Sequence, residues 1–311
     1  MLNRRRQIIL GLILLAATAA LVYGERAIYT LKILNATRVG QQFRQTYAHA
    51  TRDVVFNPGM TPRLDVYSPA SGDKHPVLIF VHGGGWKDFD KTLFASVAQK
   101  MLPENLVVVI PDYTLYPHGD YRLMAREVAA VIAWTLDHIA SYGGDPQRVV
   151  VAGHSAGAHL ITLATLDPTY LAEFGHRSDD LCGLVGMSGV YDINAQFAFE
   201  QANGREAPVM TTVMGGRENF AATSPISYVR PNAPPILLIH GDQDETVPVS
   251  ISQNFQAALQ AAGARSNLII YPGAGHSDFL FAALTEPSPR IVTDLARFTE
   301  QCGQQANPIG Q

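Results

Sequence analysis

Charge is scarce in this chain: Lys, Arg, Asp and Glu make up 16% of its 311 residues and leave a net charge of −4. The basic footprint that nucleic-acid binding needs is therefore missing. Long apolar runs are missing too, apart from one near the start, which excludes a polytopic membrane protein. Cysteine is nearly absent. The two present, Cys182 and Cys302, can build neither a disulfide scaffold nor a Cys-based zinc site. No H-E-x-x-H and no clustered His/carboxylate spacing occurs, so no metal is implied. No dinucleotide or P-loop frame fits, so no cofactor is implied either. With 47% hydrophobic residues, and with 26 Gly and 19 Pro near average usage, disordered and low-complexity classes fall away. There is no internal repeat and no Pro/Ser-rich linker. What remains is a chain long enough for one large α/β domain or two small ones.

The single apolar run has a distinctive flank. Arg4, Arg5 and Arg6 precede Ile8 to Val22. As a helix this run spans about 22 Å, short of a hydrocarbon core of about 30 Å. Two export readings stand. One is a cleaved signal peptide with Ala17-Thr18-Ala19 as the cleavage motif. The other is an uncleaved signal anchor, lengthened by Tyr23, Ala27, Ile28, Leu31, Ile33 and Leu34. A buried N-terminal helix is the plain alternative, but three adjacent arginines before a purely apolar run is the export pattern. Residues 1–34 are thus read as signal or anchor with its lead-in. From about residue 35 the chain is expected outside the cytoplasm, membrane-held if the segment stays and secreted if it is cut.

From about residue 50 strand and helix patterns alternate. Short apolar runs predict eight strands: Val54-Phe56, Leu64-Tyr67, Val77-Val81, Leu106-Ile110, Val149-Ala152, Leu184-Met187, Ile236-Ile239 and Leu268-Tyr271. The later runs are continuous and β-branched, as strands buried on both faces require. Helix-period segments lie between them: Lys91-Leu102, Arg122-Tyr142, Ala156-Leu166, Ser250-Ala262 and Arg290-Cys302. This predicts an α/β fold, a mostly parallel eight-stranded sheet with helices on both faces. The first two strands have no helix between them, so an antiparallel start is expected. Residues 192–224 break the rhythm and read as a small cap insertion in a catalytic domain of about 50–303.

Ligands of open α/β sheets bind at the carboxyl ends of the strands, and four strand ends carry candidate chemistry. Gly153-His154-Ser155-Ala156-Gly157 follows a strand and opens a helix, the context of a nucleophile elbow. Its bland reading is an ordinary Gly-rich turn. His82-Gly83-Gly84-Gly85-Trp86 follows Val77-Val81. Its glycines can turn N–H groups toward an oxyanion, so Gly84, Gly85 and Ala156 are assigned as donors. A phosphate loop is the alternative, but no Lys-Ser/Thr follows. His82 is read as bracing this loop rather than as a base. After Ile236-Ile239 two acids, Asp242 and Asp244, can complete a triad. Asp242 sits in the immediate turn, while Asp244 has the reach. His276, on the glycine-rich loop after Leu268-Tyr271, is the proposed general base. His159 is read as core and His154 as the variable elbow position. Ser155, Asp244 and His276 stand in the chain order of one triad architecture.

On these motifs the chain resembles the α/β-hydrolase superfamily. It is similar, more narrowly, to carboxylesterases that include isoprenylcysteine methylesterase-like enzymes and arylformamidases. The resemblance covers roughly residues 60 to 300. It is carried by HGGGW at 82–86, DYTLYP at 112–117, SYGGDPQRVVVAGHSAGAHL at 141–160, SGVYDI at 188–193, HGDQDETVP at 240–248 and YPGAGHSDF at 271–279. It implies Ser155, Asp244 and His276 as triad and Gly84, Gly85 and Ala156 as oxyanion hole. It also implies hydrolysis of esters, or of amides as in arylformamidases, through an acyl-enzyme. A non-enzymatic binding module on the same scaffold is the third reading.

Candidate pocket residues are Trp86, Tyr113, Tyr116, Phe197, Phe199 and Met210. No basic cluster marks a site for an anion, so the expected partner is an uncharged, moderately apolar ester. Cys182 and Cys302 fall at the opposite end of the sheet, one at a strand start and one at a helix end. They read equally as a disulfide, which export permits, or as two buried thiols.

Overall fold

The computed structural model describes residues 27–285 and 289–302. Eight strands form one sheet: β1 (Ala50–Val54), β2 (Leu64–Tyr67), β3 (His75–Val81), β4 (Val107–Pro111), β5 (Gly144–His154), β6 (Gly183–Met187), β7 (Ile236–Gly241) and β8 (Ser266–Tyr271). Their spatial order is β1-β2-β4-β3-β5-β6-β7-β8. β1 and β4 both pair antiparallel with β2, and all other neighbours are parallel.

Strands β3 to β7 carry the apolar runs, and their side chains alternate between two cores. Val77, Ile79 and Val81 of β3 face one, Leu78 and Phe80 the other. Helices α3 (Tyr121–His138), α4 (Ala156–Leu166) and α8 (Val249–Ala261) cover the first face. Helices α2 (Lys91–Met101), α9 (Asp278–Thr285) and α10 (Arg290–Gln301) cover the second. Aspartates start several of the helices. Asp90 accepts from the Thr92 N–H and Asp120 from the Leu123 N–H, satisfying donors that have no partner inside the helix.

Two expectations need correction. The first strand is not Val54-Phe56 but Ala50–Val54. It is an edge strand with exposed and half-buried residues in alternation, so its ladder carries no apolar run. Val55 is instead exposed, and Phe56 enters the core from a loop. Second, of the apolar residues assigned to an anchor extension, those described, from Ala27 to Leu34, do not share one environment. A helix, α1 (residues 27–46), runs through the boundary drawn at residue 34 and lies on the second face of the sheet. Ala36 is buried there, and Ile33 and Phe43 pack beside it. Arg44 pairs with the fully buried Asp65 at 2.5 Å. The Arg4–Val22 segment lies outside the described residues. Among the described residues, no helix is long and apolar enough to cross a membrane.

The cap region holds α6 (Ile193–Ala202) and α7 (Pro208–Val213), joined to α4 by a short α5 (Pro168–Ala172) and β6 upstream. Asp192 caps α6 through the Ala195 N–H. At the opposite end of the sheet, Cys182 and Cys302 form a disulfide with 5.5 Å between their Cα atoms.

Candidate active site

The turn after β5 puts Ser155 at φ 53°, ψ −119°, a conformation with positive φ that a non-glycine residue adopts only at a cost. Two glycines make the turn possible. A Cβ on Gly157 would sit 2.2 Å from the Val81 carbonyl oxygen, and one on Gly153 would sit 2.7 Å from the backbone of Gly157. The Ser155 N–H donates to the Met187 carbonyl at 2.8 Å, which fixes the elbow to β6. Its hydroxyl is thereby held at the carboxyl edge of the sheet, at the N-terminus of α4.

Ser155 Oγ lies 2.9 Å from His276 Nε2, and His276 Nδ1 lies 2.7 Å from Asp244 Oδ2. An imidazole protonated on Nδ1 donates to Asp244 and leaves Nε2 free to accept the serine proton. Asp244 Oδ1 accepts the backbone N–H groups of Thr246 and Val247 at 2.9 and 2.8 Å. Burial alone would raise this carboxyl's pKa. The hydrogen bonds from His240 and His276, with the backbone donor, hold it far below the usual carboxylate range. Asp244 is therefore an anion at any working pH. Asp242 goes elsewhere: its carboxylate accepts the Gly273 N–H at 2.7 Å and ties the acid loop to the histidine loop.

The HGGGW loop folds back against the elbow. A Cβ on Gly83 would meet the His154 carbonyl at 2.8 Å and Ser155 Cβ at 3.1 Å, so only glycine allows this approach. Gly84 and Gly85 take φ of 116° and 57°, and Ala156 is the first residue of α4. N–H groups in the first turn of a helix have no intrahelical partner, so Ala156 suits the donor role assigned to it. His82 lies within the core, stacked between Phe94 and Tyr113, with Nδ1 2.8 Å from the Gly83 carbonyl. Burial pushes its pKa down. It braces the loop.

Several pocket candidates turn out to have their polar atoms committed to protein. The Trp86 indole N–H donates to His159 Nδ1 at 3.3 Å, and His159 Nε2–H donates to the Thr223 carbonyl at 2.8 Å. These two hydrogen bonds tie the HGGGW loop through α4 to the end of the cap, and burial holds the His159 pKa down to about 4. The Tyr113 hydroxyl donates to the His82 carbonyl at 3.2 Å. Both aromatics therefore support the loops, because hydrogen bonding draws their polar ends inward. Tyr116 joins in by donating its N–H to the Trp86 carbonyl at 2.9 Å. In the cap, Phe197 packs on Phe220 and under Arg217, Phe199 lies under Arg205, and Met210 is buried in the core. Phe197 also borders an open cavity of about 680 Å³ shared with Arg205 and Thr211. The cap grips the acid loop as well. Gln196 donates to the Thr246 carbonyl at 2.8 Å, and Arg205 to the Glu245 carbonyl at 3.2 Å.

Two histidines take part in the site that sequence reading gave no role there. His240 Nε2 lies 2.9 Å from the Val247 carbonyl and 3.1 Å from Asp244 Oδ2, while its Nδ1 lies 2.7 Å from the Ser252 hydroxyl. It is a second imidazole on the acid, and its i, i+4 spacing to Asp244 at the end of β7 was the available clue. His154 Nε2 lies 2.9 Å from the His276 carbonyl. Burial and the neighbouring His276 push its pKa down to about 3, so it stays neutral and donates steadily. A residue in the variable elbow position thus holds the backbone of His276.

An eight-stranded, mostly parallel sheet with Ser155, His276 and Asp244 joined at its carboxyl edge is an α/β-hydrolase. The chain belongs to the BD-FAE family, whose model matches residues 64–259. It is 30% identical over 246 residues to a probable isoprenylcysteine alpha-carbonyl methylesterase, ICMEL1, of Arabidopsis thaliana, covering 74% of this chain and 51% of that one. It is 33% identical over 259 residues to Esterase LipC of Mycobacterium tuberculosis, covering 79% and 64%. The chain thus spans 51% to 64% of the length of these curated relatives. Among solved structures, a truncated carbohydrate esterase from gut microbiota superposes with a TM-score of 0.71 at 22% identity, over 84% of this chain and 98% of the other. A butyrate-bound esterase of Thermogutta terrifontis gives 0.67 at 23%, over 84% and 97%. These likenesses concern the fold.

Proposed function

We propose that the chain is a serine carboxylesterase acting on uncharged, moderately apolar esters. One observation carries the reading: the unbroken path from Ser155 Oγ through His276 to the buried Asp244 carboxylate. Ser155 attacks the ester carbonyl carbon while His276 Nε2 takes its proton. Asp244 orients the imidazole and stabilises the imidazolium. The N–H groups of Gly84, Gly85 and Ala156 receive the oxyanion, where loss of one donor typically costs about 2.7–4 kcal/mol in the barrier. His276 then protonates the leaving alcohol, and water, deprotonated by the same imidazole, releases the acid. The named esterases among the relatives support ester rather than amide chemistry.

We further propose that the catalytic domain lies outside the cytoplasm, held at the membrane by the N-terminal segment or secreted if that segment is cleaved. The arginine-flanked apolar run Ile8–Val22 and the Cys182–Cys302 disulfide both support this, since disulfides persist in oxidising compartments.

The test is hydrolysis of p-nitrophenyl butyrate by the purified full chain, with a fluorophosphonate probe to report the nucleophile. Wild type turns over and is labelled on Ser155. Ser155→Ala loses labelling and falls in kcat by about 10⁴-fold or more. A Ser155→Ala variant with unchanged turnover would overturn the assignment. Faster hydrolysis of formylkynurenine than of any simple ester would move it to the amidases.

A further inference from the structure

We propose that the first two turns of α1 form a membrane-contacting surface. This surface holds the opening beside His276 against a lipid bilayer, so the ester substrate is taken from the bilayer rather than from water. The second half of this rests on the hydrolase reading above; the first does not.

The exposed large hydrophobic residues of the described chain are Ile28, Tyr29, Leu31, Leu34, Val55 and Ile270. Four of these six fall within eight residues at the start of α1, which is concentration rather than scatter. Ile28, Leu31 and Leu34 are 56%, 64% and 60% exposed. At 100° per residue they occupy the face opposite Ile33, Ala36, Gly40 and Phe43, which pack on the domain. The outward face then changes character. From residue 35 onward it presents Asn35, Arg38, Gln41, Gln42 and Gln45, all exposed. A helix in water throughout has no reason for this break. A helix whose first turns meet apolar surroundings and whose later turns meet water has one.

The surroundings are set by what precedes. Residues 23–26 alone separate α1 from the apolar run Ile8–Val22. Five residue steps reach at most about 18 Å. An anchored run therefore keeps the start of α1 within about that distance of the bilayer, within reach of its surface. Tyr29 and Lys32 suit the same depth, because an amphipathic ring and a snorkelling ammonium both favour the headgroup layer.

The helix is rigidly joined to the catalytic domain, so its placement is the placement of the site. A Cβ on Gly40 would lie 2.3 Å from the Thr92 carbonyl oxygen, which puts α1 in direct backbone contact with α2. Arg44 is clamped to Asp65 and Asp53. At the other end, the Tyr29 ring meets Phe281 edge-on at 5.7 Å, and Lys32 Nζ lies 3.6 Å from Asp278. Between α1 and the catalytic loops lies an open cavity of about 500 Å³, bordered by Ile28, Tyr29, Lys32, Glu245, His276 and Ser277. The same two turns that carry the apolar stripe thus wall the space beside the catalytic imidazole.

The experiment uses the full chain reconstituted in phosphatidylcholine vesicles. In its first arm, Leu31→Trp is compared with wild type in vesicles with and without brominated acyl chains. Bromine-dependent quenching at least twofold above the wild-type background is expected. A Leu31→Trp protein no more quenched than wild type overturns the surface, whether a second copy of the chain or the segment 8–22 covers it instead. In its second arm, Leu31→Asp with Leu34→Asp is assayed on p-nitrophenyl palmitate dissolved in the vesicles and on p-nitrophenyl acetate in water. The expected result is a loss of at least tenfold on the bilayer ester, with the aqueous ester within twofold. Equal activity on both overturns the route from the bilayer. If wild type hydrolyses neither ester, the hydrolase reading and this route fail together, and the quenching arm still decides the surface.

Discussion

At the carboxyl ends of the strands the backbone is bent to place reactive groups; at the amino ends it is tied. Ser155, Trp86 and Ser188 follow β5, β3 and β6 with φ of 53°, 61° and 45°, and each such conformation costs of order 1–3 kcal/mol. Four histidines are buried at the same edge, at 82, 154, 159 and 240. At the other end, Cys182 before β6 is joined to Cys302 after α10 across 120 residues. Arg148 at the start of the β5 core run donates to the Cys302 and Glu300 carbonyls. Positive φ is not confined to the carboxyl edge, since Lys74 before β3 and Asn105 before β4 take 55° and 59°; what sets the carboxyl edge apart is that its bent turns stand beside buried histidines. Covalent constraint, worth about 4–5 kcal/mol for so long a loop in the chain-entropy account, sits where geometry matters least to catalysis.

Four experiments bear on that contrast, from the largest expected effect to the smallest. Gly157→Ala puts a methyl 2.2 Å from the Val81 carbonyl. It should cost more than about 3 kcal/mol by overpacking and abolish turnover, read by urea unfolding and ester assay. A stable, active Gly157→Ala protein would show that the elbow is slack and the contrast mistaken. Reducing the disulfide, or Cys182→Ser with Cys302→Ser, should lower stability by about 2–5 kcal/mol. Initial rates at 25 °C should stay within twofold, and a large loss of kcat would couple the two ends instead.

His240→Phe keeps a planar aromatic ring, somewhat larger, but removes a donor to Asp244. Losing one hydrogen bond to a charged group, about 1.5–3 kcal/mol, corresponds to roughly 10- to 150-fold in kcat. The pH profile of kcat should be displaced while KM changes little. A change in KM alone would assign His240 to binding.

The last experiment concerns the buried histidines. His154 and His159 have their pKa values pushed down to about 3 and 4 from 6.5. Between these values and 6.5 the unfolded chain takes up protons that the folded chain refuses. Stability therefore falls as pH drops from about 6.5 toward 4. Asp244, depressed in the folded state, contributes stability above its unfolded pKa near 3.8 and loses it only at still lower pH. Thermal unfolding at pH 7.5, 5.5 and 4.5 should show a steady drop. Replacing His159 by Gln should flatten it by a fraction.

Much of this was legible without coordinates, for reasons that differ between residues. The apolar runs of β3, β4, β6 and β7 read as unbroken segments within a residue or two of the strands, whereas β5 begins at Gly144, five residues before its expected run, because its first residues are mostly half-buried or exposed and carry no apolar run. β1 was displaced because a half-exposed edge strand carries Arg52 and Asp53 in place of such a run. Gly153 and Gly157 could be read because steric demand within five residues is local. The work of His154 could not, since it acts on a carbonyl 122 residues away; for His240 the spacing to Asp244 was visible, but not that its ring reaches the same carboxylate oxygen as His276. Trp86 and Tyr113 were placed in the pocket by type alone, and only the tertiary hydrogen bonds revealed where their polar ends go.

Sequence alone determined the fold class, the four motifs at strand ends and the chain order of serine, acid and histidine, because periodicity and backbone sterics are short-range. The scarcity of charge and cysteine pointed the same way, toward a packed core without metal or scaffold bridges. Tertiary structure decided what depends on distance between remote segments: that the two cysteines meet, that His154 holds the His276 carbonyl, and that α1 lies on the second face of the sheet with its first turns beside the histidine loop. Contacts across a hundred residues depend on how whole layers pack, and no local pattern records that.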